Sequence, residues 1–369
     1  MTGSTMIAEA FPPGEYLRDE LEARGWTIAE FAEILGRPTQ AVSEIINGRK
    51  TITATTAKEI GGALGTSPEV WLNLQNAYQL HTQGPEPSAL DDVTRKARLR
   101  GRVPLAEIRR LGWIADSPRL DETEQSVCAL LGIQSLDEEA EFALAARRSN
   151  ANDPLSPPQQ AWLGRVRRLG LAQATESFDS HAAASLTSQL GALLRDPTQI
   201  QHVSSWFAEA GVAVVFVPAL KGSKIDGVAL TTDLGKTIIG LSGRGNRFDG
   251  AVFTLAHEMA HVVLGHLESK GVLLDEDLGS TTDTIEREAN EQATDWLFPL
   301  GVPIEPPFSK RRVQQTAAAL GCHASLVVGH LKWKGKLDWS HLNGLVPKLS
   351  DLLPAFTASG TQTTSSTST

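Results

Sequence analysis

The stretch from Thr254 to His266, TLAHEMAHVVLGH, constrains this chain most. It places His257 and His261 four residues apart in an apolar, helix-like pattern. At about 3.6 residues per turn, side chains at this spacing share one helix face, so both imidazoles can bind one metal ion. Glu258 then points toward the same pocket, where a carboxylate beside a metal-bound water acts as a general base. The HExxH pattern therefore predicts a zinc site on a helix.

A catalytic zinc ion needs three protein ligands and an open fourth position. The metzincin continuation, with a Gly and a third His at fixed spacing, is absent because Leu264 and Leu267 occupy those positions. We therefore interpret His266 as structural. The remaining solution is a carboxylate on a second helix.

The acidic stretch 283–299, which ends at a proline, is predicted to be that second helix. Glu286 is the expected third ligand. Asn290, four residues later, would hold one of the two histidines in the orientation that metal binding requires. Glu288 is expected to point elsewhere.

The segments HEMAHVVLGH and EREANEQATDWLFP together resemble the ImmA/IrrE family of bacterial zinc peptidases, whose pattern is HExxH followed by ExxANxxA and a closing Leu/Met-Pro. The resemblance implies zinc as cofactor, His257, His261 and Glu286 as ligands, and Glu258 as the base. Gln292 and Phe298 depart from the family pattern at packing positions. The similarity is good over about residues 200–300 and weaker beyond.

Composition bounds the remaining possibilities. The chain of 369 residues is long enough for two or three domains, and its 41% of hydrophobic residues can form a buried hydrophobic core in each. Cys128 and Cys322 are expected to be buried thiols, and no signal or membrane-spanning segment is visible, so we predict a cytoplasmic protein. The net charge of −9 means that any DNA contact must come from a local basic patch.

The N-terminal region has the pattern of a helix-turn-helix domain. Thr27 and Thr39 are predicted to cap two short helices, 28–35 and 40–46, and Gly36 lies in the turn between them. The pattern is similar to the helix-turn-helix of phage-repressor-like (XRE) regulators. The stretch 43–80 resembles antitoxins of the HigA type, which implies DNA and a toxin as partners.

This region is acidic overall, with six basic and eleven acidic residues up to Glu86. Basic side chains nevertheless flank the second helix, where phosphate contacts would lie. Polar side chains on that helix are able to meet base edges. A protein-docking role for the same fold stays open. The predicted DNA-binding residues are Arg37, Thr39, Gln40, Ser43, Arg49 and Lys50.

Beyond position 200 the sequence predicts three short strands, and the one at 237–242 is expected to be an edge strand. A polar stretch, 267–282, is expected to be a mobile loop, and Trp333 and Trp339 are expected in a core.

The predicted fold class is α+β and mostly helical, with a five-helix lambda-repressor-like domain, a helical connector and a zincin-like domain with a small sheet. The predicted domains are 1–82 (helix-turn-helix), 83–197 (linker and connector, with a basic run from Arg95 and helices at 121–150 and 159–197), 198–354 (zinc peptidase) and 355–369 (disordered tail).

Three functions remain open. The first is a regulator with a zinc endopeptidase that cleaves a repressor or its own linker. The second is a transcription regulator or antitoxin whose metallopeptidase-like domain is a sensor or inactive. The third is a toxin-binding antitoxin in which the first 81 residues carry the whole function. A homodimer is expected because repressor-like domains pair on palindromic half-sites.

Overall fold

The computed structural model describes residues 11–82, 87–143, 154–267, 272–275 and 284–356. The chain divides into two compact units, Met1–Val93 and Thr94–Thr369. The predicted tail from position 357, the segment 83–86 of the predicted linker and residues 144–153, which include the end of the predicted helix 121–150, lie outside the described residues. No helix among the described residues has the length and apolar character needed to cross a membrane.

The first unit contains the five helices that the sequence predicted. Thr27 caps the second helix in a reciprocal capping box with Glu30, and Gly36 ends it with a positive φ of 64°. The core is built around the fully buried Phe31 and Trp71. The helices are α1 (Pro13–Arg24), α2 (Ile28–Leu35), α3 (Thr39–Ile46), α4 (Ala54–Leu64) and α5 (Pro68–Thr82).

One local prediction in this unit is wrong. Pro38, not Thr39, is the N-cap of α3, and no side chain caps this helix. The proline already has the extended backbone that an N-cap needs, with φ −61° and ψ 137°. Thr39 is therefore the first helical residue, and its side chain is exposed.

The second unit combines helices with one small sheet. Its N-terminal helices are α6 (Pro87–Arg102), which begins before the boundary at Thr94, α7 (Leu105–Arg110), α8 (Leu120–Leu131), α9 (Pro157–Ala172), α10 (Ser180–Ser188), α11 (Leu190–Leu193) and α12 (Val203–Glu209). The strands are β1 (Val212–Phe216), β2 (Gly227–Thr231), β3 (Thr237–Leu241) and β4 (Val272–Asp275). The C-terminal helices are α13 (Phe248–Val263), α14 (Thr284–Leu297), α15 (Lys310–Leu320) and α16 (Ala324–Trp333).

The sheet has the strand order β1-β3-β2-β4, with β1 parallel to β3 and the other pairs antiparallel. The prediction that β3 is an edge strand is therefore wrong: β3 pairs on both sides, and β1 and β4 are the edges. The prediction of a loop over 267–282 is also wrong at its centre, where β4 pairs with β2.

Helices cover both faces of the sheet. On one face α9 packs through Trp162, whose Nε1 donates a hydrogen bond to the Val217 carbonyl at 3.0 Å. On the other face α13 packs against β2 and β3, and its Leu255 and Met259 belong to the same apolar cluster as Ile239 of β3. The sheet thus separates two apolar clusters, and α13, the predicted HExxH helix, lies buried in the larger one.

Close approach between α9 and α8 depends on Gly164. A Cβ at this position would lie 2.5 Å from the backbone carbonyl oxygen of Leu130, which cannot move independently of its helix. We predict that Gly164→Ala lowers the free energy of unfolding of the second unit by about 1–3 kcal/mol, the usual cost of overpacking a core. Thermal denaturation followed by circular dichroism measures the change.

The matched control is Gly101→Ala on α6, where an added Cβ meets nothing within 4 Å. This variant should be as stable as the wild type or more stable by up to about 1 kcal/mol, because alanine favours helices over glycine. Equal stability of the two variants would contradict the close packing of α8 and α9.

Candidate metal centre and nucleic-acid interface

The candidate metal centre lies on α13. The apolar positions of this helix occur at helical spacing and extend around most of its surface, so the helix is buried on nearly all sides by α14, α16 and the sheet. His257, Glu258 and His261 are at most 1% exposed. Three titratable side chains in such an environment need polar partners, because an isolated buried charge costs several kcal/mol or more.

Glu286 of α14 supplies the first of these partners. Its carboxylate oxygens lie 3.2 Å from His257 Nε2 and 3.4 Å from His261 Nε2, and the two Nε2 atoms lie 2.9 Å apart. The three side chains therefore offer ligand atoms that all lie within 4.8 Å of one another. The structure brings together the three residues that the sequence predicted as ligands.

The donor set fits zinc. Tetrahedral coordination with bonds of about 2.0–2.1 Å separates neighbouring ligand atoms by roughly 3.4 Å. The two His–Glu distances already match this spacing, and the two imidazoles would have to separate by about 0.5 Å. Imidazole and carboxylate are also ligand types that zinc accepts in catalytic sites.

The charge state of Glu286 suits a ligand. Burial raises its pKa, but hydrogen bonds and positive charge from His257 and His261 outweigh that effect. The net result is a pKa well below the usual range, so the side chain is a carboxylate at neutral pH.

His266 and Glu288 extend the cluster behind His261. His266 Nδ1 lies 2.9 Å from His261 Nδ1, and His266 Nε2 lies 3.4 Å from a Glu288 carboxylate oxygen. Burial and the neighbouring His261 lower the pKa of His266, which favours its neutral form. Neutral His266 accepts from His261 Nδ1–H and donates from its own Nε2–H to Glu288. In a neutral His261 this arrangement would place the proton on Nδ1 and direct the Nε2 lone pair toward the other ligand atoms, as metal binding requires.

Glu288 is not one of the three clustered ligand residues, in line with the sequence-based expectation, but its carboxylate contacts His266 beside them. The expected partner Asn290 is buried on α14, but its Oδ1 has no hydrogen-bond partner among the described residues. The predicted bond from an imidazole N–H to this oxygen is thus not formed. Sequence reasoning missed the roles of His266 and Glu288, because their contact joins the turn after α13 to α14 and no local pattern encodes it.

Gly227 of β2 makes room for the predicted base. A Cβ there would lie 2.3 Å from Glu258 Oε1 and 2.6 Å from Thr254 Cγ2. Any larger residue would displace the carboxylate of Glu258 from its present position. The sequence contained no signal for this role, because only the fold brings β2 against α13.

The candidate nucleic-acid interface is formed by α3. Its apolar face, Val42, Ile45 and Ile46, is buried in the first unit. Thr39 and Gln40 are exposed on the same helix, and Ser43 is half-buried. Gln40 Nε2 donates to Glu44 at 3.2 Å, a surface hydrogen bond that DNA can replace.

The predicted phosphate-binding residues differ in their surroundings. Arg49 and Lys50 are exposed just after α3. Arg37 Nε lies 2.6 Å from a Glu59 carboxylate oxygen, so its charge is already neutralised within the unit. The structure thus leaves Arg49 and Lys50 accessible and engages Arg37.

Comparisons with known proteins match the first unit's motif. The family profile described as helix-turn-helix matches residues 17–71. The chain is 31% identical to the uncharacterized HTH-type transcriptional regulator YddM of Escherichia coli over 87 residues, 24% of this chain and 88% of the relative. It is 44% identical to antitoxin HigA-1 of Vibrio cholerae over 68 residues, 18% of this chain and 64% of the antitoxin's length.

A solved structure of an addiction module antidote protein of the HigA family from Coxiella burnetii is also similar. It shares 39% sequence identity, and the match covers 21% of this chain and 89% of that chain with a TM-score of 0.20.

The geometry of the cluster predicts how metal affinity responds to substitution. Glu286→Gln removes a charged ligand and should strongly reduce zinc affinity. His266→Ala removes the acceptor that orients His261 and should reduce affinity by about 10- to 100-fold. Competition with a chromophoric chelator measures both effects.

Glu288→Gln is the matched control, because the amide oxygen can still accept the hydrogen bond from His266. Its zinc affinity should stay near that of the wild type. Loss of zinc from the Glu288 variant with retention in the Glu286 variant would reverse the assignment of the ligand on α14.

Proposed function

Because this chain belongs to the helix-turn-helix family of transcriptional regulators, we propose that it binds operator DNA through α3 and regulates transcription, as a relative of HigA-type antitoxins. The observation that carries this proposal is the pairing of a buried apolar face on α3 with the exposed side chains of Thr39 and Gln40. A rigid helix that presents short polar groups can enter the major groove and contact base edges.

The comparisons favour this regulator over the peptidase as the primary function. Each match reported above covers 24% of the chain or less, and the relatives' names refer to regulators and antitoxins. This result supports the alternative of a HigA-type antitoxin or transcription regulator. The HigA resemblance further suggests a toxin as protein partner and a homodimer on palindromic DNA.

Affinity and sequence preference would come from different side chains. The first unit is acidic overall, so attraction to phosphate must come from Arg49 and Lys50 beside α3. Gln40 can form two hydrogen bonds with adenine once it leaves Glu44.

We predict that Arg49→Ala weakens binding to all DNA sequences and reduces the slope of log affinity against log salt by about 1. Gln40→Ala should instead change sequence preference by about 1–3 kcal/mol at one base pair, with little effect on the salt slope. Fluorescence anisotropy with fragments from the chain's own promoter, at several salt concentrations, measures both.

Arg24→Ala is a control that removes the same charge from α1, where Arg24 pairs with Glu20 and donates to the Leu64 carbonyl. It should keep the wild-type salt slope. If wild type fails to bind promoter DNA at low salt, the regulator proposal is wrong.

A second candidate function rests on the His257, His261 and Glu286 cluster. We propose that the second unit is a zinc-dependent endopeptidase that cleaves a repressor or the chain's own linker. The three ligands would hold zinc, which would polarise the scissile carbonyl and the attacking water. The convergence of two buried imidazoles and one carboxylate supports this proposal.

Glu258 would act as the base. Its carboxylate lies against Gly227 and is 1% exposed, in surroundings that strengthen interactions with a nearby proton. It would take a proton from the attacking water and pass it to the leaving amine.

The substrate would enter as an extended segment, since folded helices do not fit a peptidase cleft. The predicted self-cleavage segments are 83–88 and 150–158. Cleavage in the first would release the helix-turn-helix unit.

We predict that full-length protein incubated with zinc yields fragments whose masses place the cut in one of these segments. Glu258→Gln keeps the ligands but removes the base, so it should bind zinc and stay intact. Mass spectrometry of both samples measures the outcome.

Glu288→Gln is the matched control, because it makes the same chemical change at an exposed carboxylate, and it should cleave like wild type. Equal fragments in wild type and Glu258→Gln would indicate a contaminating protease. Intact chains in all samples would exclude self-cleavage and leave a separate protein as substrate.

A further inference from the structure

A cavity of about 470 Å³ lies beside the N-terminal half of α13. Its walls come from α13, α16, the end of α14 and the segment after β3. This volume falls within the range of about 300–1,000 Å³ that is typical of small-molecule sites.

Aromatic side chains form much of the wall. Phe253 and Trp333 pack against each other with ring centroids 5.5 Å apart, and Phe298 and Trp339 also line the space. Trp339 is 61% exposed, contrary to the expectation that it belongs to a core. Lys332 Nζ donates to the Trp339 carbonyl at 3.0 Å and fixes this tryptophan at the cavity.

The charged groups of the wall are already paired. Arg244 forms two hydrogen bonds with Asp226, at 2.7 and 2.8 Å. Arg247 forms two with Asp249, at 3.1 and 2.6 Å. Burial, together with the nearby positive charges of Lys334 and Lys336, lowers the pKa of His330 to about 4, so His330 is neutral at pH 7.

The residues that line the cavity therefore offer aromatic surface and balanced charges, and the nearby Lys332 ammonium, 5.7 Å from the Trp339 ring, is held by the Trp339 carbonyl. A charged ligand would lose its hydration without gaining a counterion, which is costly. An extended peptide could not add to the sheet here, because Leu241, the strand residue in this wall, belongs to β3, which is paired on both sides. An uncharged aromatic molecule can stack on the rings without either penalty.

We propose that this cavity binds one uncharged aromatic small molecule, at a site distinct from the metal cluster. The inference does not depend on DNA binding or on peptidase activity. Ligand contacts come from the faces of Phe253, Trp333 and Trp339. The paired arginines at the rim contribute N–H groups to a neutral acceptor on the ligand.

Gly250 provides a way to fill the cavity without disturbing the fold. It lines the space, and an added Cβ would meet only Arg247 Cβ, at 3.9 Å. Gly250→Leu therefore extends a side chain into the site from a helical position. Gly101→Leu on α6 makes the same change in a helix that does not line the cavity, again with nothing within 4 Å of the added Cβ.

The test uses full-length protein and two probes that share the same aromatic rings. N-phenyl-1-naphthylamine is uncharged, and 8-anilinonaphthalene-1-sulfonate adds one negative charge. The uncharged probe should bind wild type with a stoichiometry of one per chain and a fluorescence increase, and at least about tenfold more tightly than the sulfonate. Gly250→Leu should weaken its binding by about tenfold or more, whereas Gly101→Leu should bind like wild type.

Trp339→Ala is a second variant, and because this side chain is largely exposed its removal leaves the core intact. It should weaken binding of the uncharged probe several-fold. The proposal is wrong if the uncharged probe does not saturate, if Gly250→Leu and Gly101→Leu bind it equally, or if the sulfonate binds as tightly.

Discussion

Burial of His257 and His261 beside the half-buried Glu286 is the constraint on which the second unit depends. Polar side chains this deep are tolerated only when they are paired, so α14 must place Glu286 within hydrogen-bond distance of both imidazoles on α13. The remaining faces of α13 pack against the sheet and α16, which fixes the helix that carries the histidines. The stability of the second unit and any metal binding by this cluster therefore both require Glu286 on α14 to contact the two histidines on α13.

The sequence predicted the features that arise within one element, together with the contact of Glu286 with the two histidines, but it missed other contacts between distant elements. The four-residue spacing of His257 and His261 follows from helix geometry, and the structure places both on one buried helix. The position of β3 in the sheet could not be predicted, because its parallel pairing with β1 requires a crossover that no local pattern encodes. The contact between Gly227 and Glu258 has the same long-range origin.

The first unit shows how an acidic domain can still present a basic surface. Ion pairing within the unit neutralises Arg37, whereas Arg49 and Lys50 follow α3 in an exposed segment. Electrostatic attraction to DNA decays within about 8–10 Å at physiological salt, so the few charges next to a phosphate matter more than the net charge. Local placement, which sequence counts cannot show, therefore decides whether such a domain attracts nucleic acid.

The aromatic cavity and the metal cluster share α13, separated by one helical turn. Phe253 links them, because its ring lies 5.5 Å from Trp333 and 6.4 Å from His257 between ring centroids. A ligand that shifts Phe253 would change the space beside His257, and α13 cannot absorb the shift elsewhere because most of its surface is buried. Any such coupling must be reciprocal: if an aromatic ligand changes metal affinity by some factor, the metal changes affinity for that ligand by the same factor. If both proposed sites bind their ligands and the bound states differ in the position of the Phe253 ring, the shared helix therefore predicts that each ligand alters the affinity for the other.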